Sequence, residues 1–198
     1  MIAKPDEQTP PAAAFAVRLM YQAGIPADVL HFLPGSGASV GAALTGAEEI
    51  AGVAFTGSVE TARLIAKSLA AKPGPLAPVI AEIGGQNVMI VDSSALLEQA
   101  VADALTSAFS SAGQRCSCLR VVFVQEEIAA AFIAKLDGAL QEIEVGDPLL
   151  LATDVGPLID ADALAQRAHG ARSDVARRCT DGNRYRVRLL FFAASFRN

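Results

Sequence analysis

Val53-Ala-Phe-Thr-Gly57-Ser58-Val-Glu-Thr-Ala62-Arg-Leu-Ile-Ala-Lys67-Ser-Leu-Ala-Ala71, then Pro73-Gly74-Pro75 and Val79-Ile-Ala-Glu82, is the stretch that decides the fold class. An apolar run from Val53 to Thr56 stops at Gly57, and Ser58 can cap a helix that keeps its spacing to about Ala71. Pro73-Gly74-Pro75 breaks that helix, and a second apolar run, Val79 to Glu82, ends at Gly84-Gly85. Strand, helix, strand with nearly continuous apolar strands predicts an α/β protein whose parallel sheets are covered on both faces.

The same alternation extends in both directions. Upstream, Thr9 can cap a helix with Pro10 in its first turn, and apolar residues recur at helical spacing until Gly24; Val29 to Leu33 is a short strand ending at Pro34-Gly35-Ser36-Gly37. Only Met1-Ile-Ala precedes Lys4, so the chain reads as beginning inside a strand. Downstream come a strand from Val88 to Val91, a long helix from about Ala95 to Ala112 closed by Gly113, a strand from Leu119 to Val124, a helix from Ile128 to Leu140 and a turn at Gly146-Asp147-Pro148. Sites in such sheets lie at the carboxyl ends of the strands.

Composition narrows the class. With 198 residues, 52% hydrophobic and 19% charged, the chain can build a core for one medium or two small domains and cannot stay solvated as a disordered polymer. No apolar run reaches the roughly 18 residues of a membrane span, and the N-terminus lacks the basic and apolar blocks of a secretory signal, so a cytoplasmic setting is expected. Three cysteines do not describe a disulfide framework and read as thiols.

The net charge of −5 averages two unlike parts. Residues 1–166 hold eight bases against nineteen acids, a net of −11, whereas residues 167–198 hold eight arginines against two acids, a net of +6. A nucleic-acid arm would be arginine-rich, since arginines neutralise phosphates. Here the stretch shows neither helical nor alternating period, so it reads as an aberrant Arg-rich tail, disordered or frame-shifted, and no nucleic-acid partner is expected.

Four segments carry candidate chemistry. Gly35-Ser-Gly37-Ala-Ser-Val-Gly41 approaches the dinucleotide fingerprint with its last glycine one residue late, and a turn needed only to bend the chain explains it equally. Phe55-Thr-Gly57-Ser58 places a glycine and a hydroxyl where free N–H groups at a helix start can meet a pyrophosphate, or where a serine simply caps. Cys116, in Ser111-Ala-Gly113-Gln-Arg115-Cys116-Ser117-Cys118, lies in a loop where a thiol can meet a substrate, with the cation of Arg115 adjacent; an unremarkable buried cysteine is the alternative. Glu82 is a carboxylate in an apolar run, where desolvation would suit it to general-base work, or it is a solvated strand end. Cys116-x-Cys118 lacks further metal ligands, so no metal is expected, and neither His31 nor His169 is well placed to partner a thiol.

Lys4-Pro-Asp-Glu7-Gln-Thr-Pro10, Leu33-Pro-Gly35-Ser-Gly37, Phe55-Thr-Gly57-Ser58, Glu82-Ile-Gly84-Gly85 and Gly113-Gln-Arg-Cys116 occur in the order and at the approximate spacing of the aldehyde dehydrogenase superfamily, which residues 1–166 resemble. Met89-Ile-Val-Asp-Ser-Ser-Ala-Leu96, Ser111-Ala-Gly-Gln-Arg-Cys-Ser117 and Gly156-Pro-Leu-Ile-Asp160 look like the L-glutamate γ-semialdehyde (1-pyrroline-5-carboxylate) dehydrogenase module of bacterial bifunctional proline-utilisation proteins. The resemblance implies part of a doubly wound parallel-sheet NAD-binding domain at 1–83 and part of an α/β catalytic domain at 84–166.

It also implies roles. Cys116 would be the nucleophile, its backbone N–H helping to hold the oxyanion, and Glu82 the base that activates water. Lys4 and Glu7 would contact the adenosine ribose, Gly57 and Ser58 the pyrophosphate, and Ser117 the substrate carboxylate. An acid on the ribose favours NAD as cofactor over NADP. Val59 and Ala62 depart from the Thr and Gly often found after that turn. The implied reaction is oxidation of a small-molecule aldehyde, L-glutamate γ-semialdehyde, to glutamate in proline catabolism. Full-length relatives would be homo-oligomers, and no flavin is expected. The family's oxyanion-hole asparagine, its opening strands and its downstream ribose and oligomerisation segments have no counterpart here. Losing one oxyanion donor costs on the order of a hundredfold in rate. A catalytically inactive remnant that at most binds nucleotide or a partner protein is therefore the alternative.

Overall fold

The computed structural model describes residues 1–165 in full and the backbone of residues 177–179 and 187–191. The chain divides into two compact units, Met1–Ile83 and Gly84–Asn198.

In the first unit, β1 (Ile2–Ala3) pairs in parallel with β2 (His31–Phe32), and α1 (Pro10–Gln22) connects them. Pro10 and Pro11 suit a first turn that has no use for their missing N–H groups, and Gly24, at φ 97°, takes the left-handed position that stops the helix. Thr9 holds the N-cap position, yet its side chain makes no capping bond, contrary to expectation. The glycine-rich segment after β2 is not a simple turn. Ser36 accepts the Ser39 N–H at 3.1 Å, and the chain winds through a π-helical turn, Gly37–Gly41, into a short helix, α2 (Ala42–Gly46). β3 (Val53–Gly57), α3 (Val59–Ala70) and β4 (Val79–Ile83) form the expected strand–helix–strand unit, with β3 and β4 parallel from Val53↔Val79 to Gly57↔Ile83.

The second unit is built on β5 (Asn87–Val91) and β6 (Leu119–Gln125), parallel to one another and joined through α4 (Leu97–Phe109). Their register shifts by one residue between Asn87, opposite Leu119, and Val88, opposite Val121, so Arg120 is the extra residue of a bulge. α5 (Glu126–Gln141) follows β6, and Phe132 of α5, Val122 and Val124 of β6 and Ala104 of α4 are buried in one cluster. The backbones of β7 (Arg177–Cys179) and β8 (Val187–Phe191) extend this sheet antiparallel, giving the order β5-β6-β8-β7. These eight positions are strand where the sequence suggested disorder, because the free edge of β6 offers backbone groups that a Val-Arg-Leu-Leu-Phe segment can pair. The rest of that expectation, for residues 167–198, lies outside the described residues.

Coverage differs from strand to strand: in β6 the adjacent Val121 and Val122, which point to opposite faces, are both buried, whereas β4 and β5 each leave one face open. Ile90 of β5 is 77% exposed and Ile80 of β4 is 62% exposed, while their neighbours Val91 and Val79 turn inward to different degrees. An apolar residue on a strand therefore reads as buried from sequence even where its face is open, because its neighbours on the chain point the other way. Among the described residues, no helix is long and apolar enough to cross a membrane.

Candidate active site

The loop that carries Cys116 begins where α4 stops. The helix was expected to run to Ala112, but it ends at Phe109 because Ser111 and Ala112 adopt φ of 56° and 53°, followed by Gly113 at 65°. Only the glycine takes that conformation without strain; for Ser111 and Ala112 it costs roughly 1 kcal/mol each, so other interactions must hold the loop.

They are present. Arg120, the bulge residue, donates from its guanidinium to the Gly113 carbonyl at 2.8 Å. Gln114 accepts the Ile159 N–H on its Oε1 at 2.8 Å, tying the loop to a segment 45 residues away. Cys118 is fully buried, and its sulfur accepts the Arg115 N–H at 3.4 Å and faces the Ser110 carbonyl at 3.9 Å. The Cys118 N–H donates to the Arg115 carbonyl at 3.2 Å, closing a turn with Cys116 and Ser117 at its centre. Asn87 Nδ2 donates to the carbonyls of Cys116 at 2.7 Å and Cys118 at 2.9 Å. The two cysteines of one short motif thus divide: Cys118 is a buried part of the scaffold, and Cys116, with Arg115 and Ser117 beside it, is exposed to solvent. Sequence reasoning singled out Cys116 and passed over Asn87, Gln114 and Arg120. A polar residue opening an otherwise apolar strand was the available signal for Asn87.

Glu82 lies near the end of β4 in the first unit and is exposed. The burial that an apolar run suggested is lacking, since adjacent apolar residues on a strand point to opposite faces and β4 is open on its outer side. Cys116 and Glu82 belong to different units and different sheets, Glu82 to the β3–β4 pair and the Cys116 loop to the sheet of β5 and β6.

The positions suggested for a dinucleotide lie at strand ends of the first unit. Lys4 directly follows β1, and its Nζ donates to the Pro5 carbonyl at 2.9 Å. The Glu7 carboxylate accepts the N–H of Gly37, in the segment after β2, so an acid and an ammonium flank the carboxyl end of the β1–β2 pair. Gly57 closes β3, where an added Cβ would collide with the Phe55 ring, and Ser58 caps α3 by accepting the Thr61 N–H at 3.1 Å. Carboxylate and ammonium match the hydroxyls of a ribose, and the capped helix start matches a phosphate, although Glu60 already places an acid in that first turn. The donor set fits a dinucleotide.

His31 sits on β2 with its Nε2 3.1 Å from the Asp28 carbonyl, in the other unit from Cys116; His169 lies outside the described residues. Among the described residues, no group of three or more His, Cys, Asp or Glu side chains could hold a metal ion.

Comparison with known proteins identifies the family. The pattern of the aldehyde dehydrogenase family matches residues 1–187. The bifunctional protein PutA of Klebsiella aerogenes is 53% identical over 166 residues, covering 82% of this chain, which spans only 13% of that protein's length. A crystal structure of a Bradyrhizobium japonicum proline utilization A mutant is 52% identical with a TM-score of 0.82, over 90% of this chain and 18% of the other. An Escherichia coli NADP-dependent enzyme matches with a TM-score of 0.81 at 33% identity, over 98% of this chain and 40% of its own. Parallel sheets, thiol loop and sequence motifs together lead to one assignment: the chain belongs to the aldehyde dehydrogenase family.

Proposed function

We propose that the chain is part of an NAD-dependent dehydrogenase that oxidises L-glutamate γ-semialdehyde to glutamate in proline catabolism, in the cytoplasm. The observation that carries this reading is the solvent-exposed thiol of Cys116 on a loop tied down by Asn87, Arg120 and Ile159, in a chain 53% identical over 166 residues to a bifunctional PutA. A bound nicotinamide ring supplies the hydride acceptor. The residues of this chain do the rest. The Cys116 thiolate adds to the aldehyde carbon, and its own N–H donates to the oxygen that becomes negative. Loss of hydride from that carbon leaves a thioester on Cys116. Glu82 takes a proton from water, whose oxygen attacks the thioester, releasing the carboxylic acid and restoring the thiol. Lys4 and Glu7 bind the adenosine ribose, Gly57 and Ser58 admit the pyrophosphate, and Ser117 meets the substrate carboxylate.

The test is NADH formation from glutamate semialdehyde, followed by absorbance, with NAD and NADP compared. Cys116→Ser is expected to abolish turnover, and Glu82→Gln to accumulate an acyl adduct on Cys116 visible by intact-mass spectrometry. An unchanged rate in either variant overturns the role assigned to that residue. A second reading, an inactive remnant that at most binds nucleotide or a partner protein, is favoured by the exposed apolar faces of β4 and β5. It predicts no NADH with any aldehyde and a Cys116 that still reacts with small alkylating agents.

A further inference from the structure

We propose that Asn87 is the positioning residue for Cys116, fixing the peptide groups on either side of the thiol through the two N–H bonds of its side-chain amide. The inference rests on the reading of Cys116 as the nucleophile.

Two peptide planes flank a residue, and each is fixed once its carbonyl is held, because the N–H of a trans peptide points opposite its C=O. The plane before Cys116 contains the Arg115 carbonyl, which accepts the Cys118 N–H at 3.2 Å. The plane after it contains the Cys116 carbonyl, which accepts from Asn87 at 2.7 Å. The same amide nitrogen reaches the Cys118 carbonyl at 2.9 Å, so it also holds the far end of the turn whose N–H pins the first plane. One primary amide has two N–H donors, and both are used here on the turn that presents the thiol. A hydroxyl or a carboxylate at position 87 could not serve both carbonyls.

The placement of Asn87 supports this role. It opens β5 opposite Leu119, at the bulge where pairing skips Arg120, and Arg120 itself holds Gly113 on the other side of the thiol. The partners lie 29 and 31 residues along the chain, so the bonds are tertiary and form only when β5 and β6 have paired in register. A loop with Ser111 and Ala112 in the left-handed region needs such tethers to keep a single form. Held this way, the two peptide groups that flank the thiol keep a fixed direction.

Alkylation of the full 198-residue chain by iodoacetamide, read separately at Cys116 and Cys118 by peptide mass spectrometry, tests the inference. Asn87→Leu keeps the volume and removes both donors; Asn87→Gln keeps the amide on a longer arm. Asn87→Leu is expected to slow Cys116 by about threefold to tenfold, the scale of one or two lost hydrogen bonds, and to make the buried Cys118 reactive. Asn87→Gln is expected to stay within about twofold of the parent at both thiols. Equal rates in the Leu and Gln variants overturn the proposal. Should the leucine variant lose its far-UV circular dichroism, hydrogen exchange on the unsubstituted chain decides. A Cys118 amide, which donates to the Arg115 carbonyl, protected as well as the amides of β5 supports the tether, and its exchange at the rate of a free peptide removes it. Slow Cys116 alkylation restored by glutamine, in a chain that makes no NADH, would leave the positioning role standing while the dehydrogenase reading fails.

Discussion

Gly35 has φ 153°, and the methyl groups of Val40 occupy the space where its side chain would begin. A methyl there meets both backbone strain and a packed neighbour, so Gly35→Ala is expected to destabilise the first unit by about 2 kcal/mol, measurable as a lower urea midpoint. The neighbouring Gly41 and Gly46 have open space around them and serve as internal controls. At this scale the sequence was legible where chemistry is local. A thiol beside an arginine in a loop is visible in eight residues of text, and so is a serine before a helix, and both stand where expected. What stayed hidden depends on pairing at a distance. Nothing near Asn87 in the chain announces that its amide meets residues 116 and 118, and nothing near Glu82 announces that its strand lacks an outer cover.

Between elements, α4 and α5 are joined across their exposed sides by Lys135 and Glu98, whose nitrogen and oxygen lie 2.7 Å apart. The hydrogen bond from Lys135, its own backbone and the lysine charge hold the Glu98 carboxyl below the ordinary value of 4.5. A lowered value in the folded state means that the pair contributes fully at neutral pH and loses its contribution as pH falls below about 4.5 through the folded value. Lys135→Met is expected to move the Glu98 titration upward, followed by carboxyl NMR, and to narrow the gap to the parent as the solution is acidified. Exposure and salt keep the effect small. The elements themselves were largely legible, most sharply in the first unit, where a glycine or proline stands at or within three residues of the end of each. The misses have physical causes. A segment with three glycines in seven residues reads as a turn, yet a serine cap and tertiary support wind it into Gly37–Gly41 and α2. The apolar spacing of α4 continues past Phe109, but Ser111 and Ala112 reverse the backbone hand.

Across the molecule, the open apolar faces decide behaviour in solution. Ile90 at 77% exposure and Leu151, fully exposed, belong to surfaces that water does not favour, and the chain is expected to self-associate at micromolar concentration in light scattering. Ile90→Lys, on the uncovered side of β5, should raise the monomer fraction without unfolding the cluster around Phe132. Sequence could show that the strands are apolar; it could not show that Ile80 of β4 and Ile90 of β5 face solvent. The division between the two cysteines of the loop has a further consequence. A buried sulfur is shielded from oxidants that an exposed one meets, so a low dose of peroxide is expected to mark Cys116 and spare Cys118.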